Sequence, residues 1–237
     1  MDELMITAAS LMARETRRVE TAAHNIANTA TPGFKSEIAF QDALAMPAAP
    51  GLPVSADMRL ATDFGAGKLM HTGNPFDLAI GGDGFFAVAA PDGTAYTRAG
   101  SFHRDDQGRL VTIQGWPLQA SGGGDVTVSN GSWHIEPDGT VIDGGNPSTV
   151  IDVAHFDDNA KLERSADGLF LAGQARSLDQ GETRVQQGYL EASNVMVGAD
   201  MVRVMEAMRR VESGQKLVQT YDDMVGNVLQ RLGDMQS

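Results

Sequence analysis

The chain has no cysteine, which excludes disulfides and thiolate metal sites alike. It also lacks a basic excess. Eighteen Lys and Arg face 31 Asp and Glu, a formal net charge of −13. Phosphate backbones need a basic face, so nucleic acid is excluded as a partner. No stretch approaches the roughly 18–20 consecutive apolar residues that cross a bilayer, and no membrane insertion is expected. The first residues, MDELMITAAS, carry Asp2 and Glu3 where a secretory signal has a basic region, and no apolar core follows. A cleaved Sec signal is therefore not expected.

Catalytic patterns are missing as well. The five histidines (His24, His71, His103, His134, His155) stand at no metal-ligand spacing. Asp157-Asp158-Asn159 begins like a calcium loop but lacks the glycine at the sixth position. Gly81-Gly82-Asp83-Gly84 has neither the GxGxxG spacing nor a following helix, and Gly122-Gly123-Gly124 is not followed by Lys-Ser/Thr. No serine is flanked as GxSxG. Acidic pairs such as Asp105-Asp106 read as solvated turns rather than glycosidase carboxylates. The expectation is a protein with no catalytic residue, no metal ligand and no cofactor.

The sequence does contain two heptad seams and a middle rich in tight turns. Toward the C-terminus Val204, Ala207, Val211, Gly214, Val218, Tyr221, Val225, Val228 and Leu232 recur at a 3-4 spacing with no charged member. Toward the N-terminus Met5, Ala9, Met12, Thr16, Val19, Ala23, Ile26 and Ala30 recur at 4-3, interrupted only by threonine. Such stripes suit a helical partner. Residues 2 to about 28 read as one helix, stopped by Thr31-Pro32-Gly33. A second helix starts after the N-cap region Ser193-Asn194 and runs to about Leu232. Gly214 on the seam marks a close approach, because glycine within a helix costs about 1 kcal/mol relative to alanine.

Between the helices, runs such as Phe85–Val88, Leu110–Ile113, Val126–Val128 and Val150–Val153 alternate with turn pairs. Those pairs are Asp83-Gly84, Asp92-Gly93, Gln107-Gly108, Asp138-Gly139 and Asp167-Gly168. The expected fold is mainly β with terminal α-helices: an antiparallel β domain between an N-terminal helix and a long C-terminal helix that pair in a coiled coil. Residues 1–35 form the N-terminal helix of a helical core domain, and 36–75 an extended linker region with an Ala- and Pro-rich stretch, Ala43 to Pro53. Residues 76–193 form a β-rich outer domain, and 194–237 the C-terminal helix. Nearly all the net negative charge falls in 36–198, because both ends are close to neutral. Near-neutral ends pack against further helices without strong repulsion. The second helix outruns the first by about three turns, and that surplus needs an outside partner.

Four stretches carry a family resemblance. Ala23-His24-Asn25-Ile26-Ala27-Asn28 through Thr31-Pro32-Gly33-Phe34 resembles the ANNxAN…TPGF signature of the flagellar rod and hook proteins. Asn74 to Phe86 and Tyr96 to Thr112 resemble the opening of that family's β domain. Gln187-Gly188-Tyr189-Leu190-Glu191-Ala192-Ser193-Asn194-Val195 resembles its QGxLExSNV entry to the last helix. His24 departs from the pattern, standing where asparagine is usual. Length, a short β domain and the closing stretch from Asp222 to Leu232 are similar to the proximal rod branch; the distal rod branch shares every motif.

The resemblance implies a structural subunit of a bacterial flagellar basal-body rod, a periplasmic tube that transmits torque from motor to hook. It implies passage through the flagellar type III export apparatus without a cleaved signal, and helical assembly with proximal and distal rod proteins inside the surrounding basal-body rings. The expected assembly interface is Met5, Met12, Val19 and Ile26, with Asn25 and Asn28 of the signature, and the seam from Val204 to Leu232. A secreted β-rich carbohydrate-active enzyme and a closed coiled-coil adaptor are the alternatives from other classes.

Overall fold

The computed structural model describes residues 2–41, 58–156, 161–165, 168–172, 177–178 and 184–234. The stretch Ala43 to Pro53 lies outside the described residues. Two compact units are present. One comprises residues 1–27, 37–61 and 196–237, the other residues 28–36 and 62–195.

The helical unit holds α1, Asp2–Ala27, and α2, Val197–Asp234, which pack against each other. At 38 residues against 26, α2 is longer by about three turns. Its seam is placed as its spacing predicts. Ala207 and Gly214 are buried, and Val204, Val211, Val218, Tyr221 and Val225 are half-buried. The side chains of Val228 and Leu232 lie outside the described residues.

The α1 seam requires a correction. Met5, Met12, Val19 and Ile26 are half-buried, but Ala9, Thr16, Ala23 and Ala30 are exposed. The inward row between the methionine and valine positions is instead Ala8, Glu15 and Ala22, all buried. Both rows share the seven-residue period. Polarity selects the wrong one, because a glutamate stands in the middle of the row that faces inward.

At Gly214 the close neighbour is a side chain, not a backbone: a Cβ there would lie 3.1 Å from Met12 Cγ. A two-stranded ribbon, Glu37–Gln41 with Met58–Thr62, completes what is described of this unit. Asn25 ties α1 to the ribbon by donating to the Glu37 carbonyl and accepting from the Glu37 amide, each at 2.8 Å.

The β unit is built on an antiparallel six-stranded sheet. Its order is Glu163–Arg164, Phe170–Leu171, Gly93–Thr97, Phe85–Ala90, Val153–Phe156 and Ser177–Leu178. Its central hairpin pairs Phe86 with Thr97 and Ala90 with Gly93. A three-stranded sheet, Trp133–Ile135, Thr140–Asp143 and Asn146–Val150, and the pairs Leu78–Gly81 with Arg184–Gln187 and Phe102–Arg104 with Leu110–Thr112 pack around it. Leu78, Phe86, Val88, Leu110, Leu118 and Val141 sit in one continuous core. Phe85, Leu162 and Phe170 form a second cluster. The glycines of all five turn pairs take positive φ, the conformation the pairs were read for.

Two expected strands differ. Val126–Val128 makes only isolated bridges, Asp125 to Gln119 and Thr127 to Arg109, while Val126 is wholly buried. The run Val150–Val153 is divided. Val150 ends one sheet, Ile151 bridges Ala120, and Val153 opens a strand of the other sheet. A short β-branched run satisfies burial in either sheet, so composition alone does not locate the crossing.

Candidate assembly site

Two clusters contain the residues singled out by sequence. The first, in the β unit, gathers the motifs around Glu191. Its carboxylate is almost wholly buried and accepts from Lys35 Nζ and the Gly67 amide at 2.7 Å each, and from Arg98 Nη1 at 3.2 Å. Lys35 Nζ also donates to the Gly65 carbonyl and Arg98 Nη2 to the Gly82 carbonyl, both at 2.8 Å. Burial lowers the proton affinity of Lys35 from its ordinary value, against the hydrogen bond and charge of Glu191, which raise it. Burial lowers Arg98 likewise.

The TPGF turn closes over this cluster. Gly33 donates to the Glu191 carbonyl at 2.7 Å, with φ at 68°. A Cβ on Gly33 would fall 2.2 Å from the Arg98 carbonyl carbon, so no other residue fits. Phe34 is buried beneath the Arg164 guanidinium, 4.4 Å from its ring centre, and Arg164 donates to the Lys35 carbonyl. Thr31 donates its hydroxyl to Asn28 Oδ1, and Pro32 is half-buried beside it.

Asn194 does not cap α2. Its side chain accepts from the Ser36 amide at 2.7 Å and donates to the carbonyls of Asp63 and Gly65. Ser193 accepts from the Val195 amide, and Leu190 pairs with Met70 in the ribbon Leu69–His71 with Tyr189–Glu191. The helix starts two residues beyond Val195, at Val197, and Asp200 donates its amide to the Met196 carbonyl. The motif residues therefore hold chain segments together. Lys35, Arg98 and Arg164 complete the cluster; Lys35 directly follows the TPGF motif and Arg98 lies in the stretch Tyr96 to Thr112, whereas Arg164 lies in none of the motif stretches.

The second cluster is the surface of the helix pair. Among the described residues the buried apolar side chains of the helical unit are Ala8, Ala22 and Ala207, while its large seam residues are half-buried. Other large apolar residues of α2 are about half exposed: Met205 and Met208, one residue after the seam positions Val204 and Ala207, Met201 one turn before Met205, and Leu217 and Met224, one residue before Val218 and Val225. Asn25, expected at the assembly interface, is spent inside the unit on Glu37. His24 is exposed on the last turn of α1. Among the described residues no helix is long and apolar enough to cross a membrane, and no group of three His, Cys, Asp or Glu could hold a metal ion.

Comparison with known proteins decides the family. Residues 5–35 match the model described as flagella basal body rod protein, 79–143 the flagellar hook protein FlgE/F/G D1 domain, and 186–231 the flagellar basal body rod FlgEFG protein C-terminal model. The chain is 32% identical to the flagellar basal-body rod protein FlgF of Caulobacter vibrioides, over 98% of this chain and 99% of that one. It belongs to the flagellar basal-body rod protein family. FlgF of Escherichia coli is 30% identical over 98% of this chain and 99% of its own. FlgG of Caulobacter vibrioides is 34% identical, covering 92% of this chain and 95% of its own. A rod-family chain is a structural subunit, and the three matched segments cover most of both helices and part of the β unit between them.

Proposed function

We propose that this chain is an FlgF-type subunit of the proximal rod, whose helix pair is completed only by helices of neighbouring rod subunits. One observation carries the reading: among the described residues of the helical unit only alanines are buried apolar side chains, while Met201, Met205, Met208 and Met224 of α2 are each more than half exposed. Covering a Met or Leu side chain contributes about 1.5–3 kcal/mol, while fixing a residue costs about 1–2 kcal/mol. The pair alone recovers little of that cost. The exposed stripes recover more once other helices cover them, and methionine adapts to unlike partners.

The interface of this reading is the two flanking stripes, Met201, Met205 and Met208 on one side and Leu217 and Met224 on the other. The part of the α2 seam beyond the reach of α1, from Val225 through Val228 to Leu232, belongs to it as well. An open repeat of one heterologous contact builds a tube rather than a closed ring. Export through the flagellar type III apparatus, a periplasmic position inside the basal-body rings, and transmission of torque are part of this reading. No catalytic step is assigned.

The second reading is an FlgG-type distal subunit, favoured by the 34% identity to FlgG of Caulobacter vibrioides. Coverage of 98% of this chain by FlgF proteins, against 92% by that FlgG, supports the first. Met205→Glu with Met208→Glu tests the shared part. The purified protein should unfold within about 0.5 kcal/mol of wild type, because both side chains are solvated in the free chain. Cells carrying the variant should lack rods and not swim; normal swimming overturns the interface. Long homopolymeric tubes from the wild-type protein alone would move the assignment to the FlgG type.

A further inference from the structure

The helical unit buries an incomplete charge. The two helices and the strand Glu37–Gln41 enclose a cavity of about 230 Å³ whose lining includes Glu15 and Asp200. Both carboxylate residues are nearly inaccessible, 4% and 2% exposed. Glu15 Oε1 accepts from Arg18 Nη1 at 3.2 Å and from Arg210 Nη1 at 3.4 Å. Its Oε2 is buried and accepts no hydrogen bond among the described residues. The arginine side chains are 37% and 53% exposed, and both contact Oε1 alone, so neither makes a bidentate pair.

The other polar groups of the wall are committed elsewhere. Thr21 donates its hydroxyl to the Arg17 carbonyl at 2.9 Å, and Asn25 spends both ends of its amide on Glu37. Asp200 Oδ1 accepts from Arg203 at 2.7 Å. Four carboxylates line the cavity (Glu15, Glu37, Asp200, Glu206) against three guanidinium groups (Arg18, Arg203, Arg210). The wall is one hydrogen-bond donor short, at Glu15 Oε2. A buried carboxylate oxygen without a donor is costly, and native proteins seldom keep one without a partner.

We propose that this cavity is a socket for one lysine or arginine side chain of a neighbouring rod subunit, which donates to the buried Glu15 Oε2. The inference rests on the rod reading for the identity of the neighbour. The socket adjoins the apolar stripe: Asp200, Arg203 and Glu206 alternate along α2 with Met201 and Met205. A helix seated on those methionines brings its own side chains to the opening. The stripe supplies apolar area, and the socket supplies register and partner choice.

The test uses the isostere Glu15→Gln in cells deleted for the native gene. The amide oxygen keeps the acceptor for Arg18 and Arg210, while its NH₂ opposes an incoming cation; a water molecule at Oε2 would simply turn round. The purified variant should remain a folded monomer with an unchanged melt, while assembled rods fall by at least about tenfold, equivalent to about 1.4 kcal/mol per site. Should Glu15→Gln lower the melt, Asp200→Asn, whose partner Arg203 lies mostly in solvent, makes the same comparison. Swimming revertants of Glu15→Lys should carry a basic-to-acidic change on a helix of an adjacent rod protein. Normal rod numbers in Glu15→Gln, or revertants confined to this chain, overturn the socket. A wild-type gene that fails to restore rods to its own deletion, or a deletion that still builds them, overturns the rod reading instead.

Discussion

The two units bury opposite kinds of residue. In the β unit Leu78, Phe86, Val88, Leu110, Leu118 and Val141 are all wholly inaccessible, packed with Phe102 and Val185. Among the described residues of the helical unit the inaccessible positions are Ala8, Ala22, Ala207 and Gly214, together with Glu15, Thr21, Asn25 and Asp200. A core of large aliphatic and aromatic side chains stabilises a domain by itself. A row of alanines brings two helices close and contributes little area. The β unit thus has the core of a self-sufficient domain, and the helical unit has the sparse core that the proposed assembly role calls for. On that reading the same polypeptide separates folding from assembly by where it places its large apolar side chains.

The largest effect should come from the charged hub of the β unit. Lys35, Arg98 and Glu191 are two cations around one carboxylate, all nearly inaccessible. Glu191→Gln leaves both cations without a counter-charge, and unfolding free energy should fall by about 3–5 kcal/mol, the range for one partner lost from a buried pair. Lys35→Met leaves the neutral pair Arg98–Glu191 and should cost clearly less. Urea unfolding of the full-length variants measures both. Equal losses would mean that hydrogen-bond count, not charge balance, holds the hub.

Lys35 adds a pH signature. Its folded pKa is depressed, first by burial, so between that pKa and 10.5 the unfolded chain holds a proton that the native one has released. Stability from this group is therefore lowest below the folded pKa. It rises as pH passes the folded pKa toward the ordinary 10.5. Lys35→Met should flatten that alkaline rise.

The helical unit should answer differently to a charge. Val211 and Val218 lie half-buried on the face of α2 that packs against α1. Val211→Asp puts a carboxylate into the pair itself, and about 1–3 kcal/mol should be lost from helix ordering. Far-ultraviolet circular dichroism should show helix melting at lower temperature, while the near-ultraviolet signal of the aromatic β core is unchanged. The same substitution at Met205 should leave both signals unchanged and remove only assembly. If Val211→Asp and Met205→Asp behave alike, the two faces of α2 are not distinct.

Legibility in the sequence followed the same division. The α2 seam from Val204 to Val225 is legible position by position, because no charged residue interrupts it. The α1 seam differs by one residue at every second position, because Glu15 occupies the true inward row and Thr16 the decoy. A periodicity argument penalises a buried glutamate, and the cations that accompany it, Arg18 on its own helix and Arg210 on the other, become partners only in the folded pair. The turn pairs were legible since Asp-Gly demands a backbone that few other pairs adopt. The hub was not, since its members are separated by 63, 93 and 156 positions and meet only through the fold. Family motifs revealed Gly33 and Glu191 without their reason, and Asn194 was misassigned as a cap because Ser-Asn before a helix is the ordinary capping signal.

The smallest expected effect lies at Gly214, and its sign separates two accounts of the helix pair. Glycine within α2 costs about 1 kcal/mol of helix propensity relative to alanine, so Gly214→Ala gains that amount if the site is open. A Cβ there would lie 3.1 Å from Met12 Cγ and 3.7 Å from its sulfur, close enough that Met12 must move by a few tenths of an ångström. Met12 is half-buried and unbranched, so it can give way at a modest cost. The two contributions nearly cancel, and the melt of Gly214→Ala should stay within about 0.5 kcal/mol of wild type. Gly214→Leu cannot be absorbed in the same way, since its branches must enter the space Met12 occupies; the pair should loosen by about 1–3 kcal/mol. Met12→Ala in the Gly214→Leu background empties that space and should restore part of the loss. A gain of the full propensity by Gly214→Ala, with Gly214→Leu tolerated unaided, would show that the helices do not depend on this contact for their spacing.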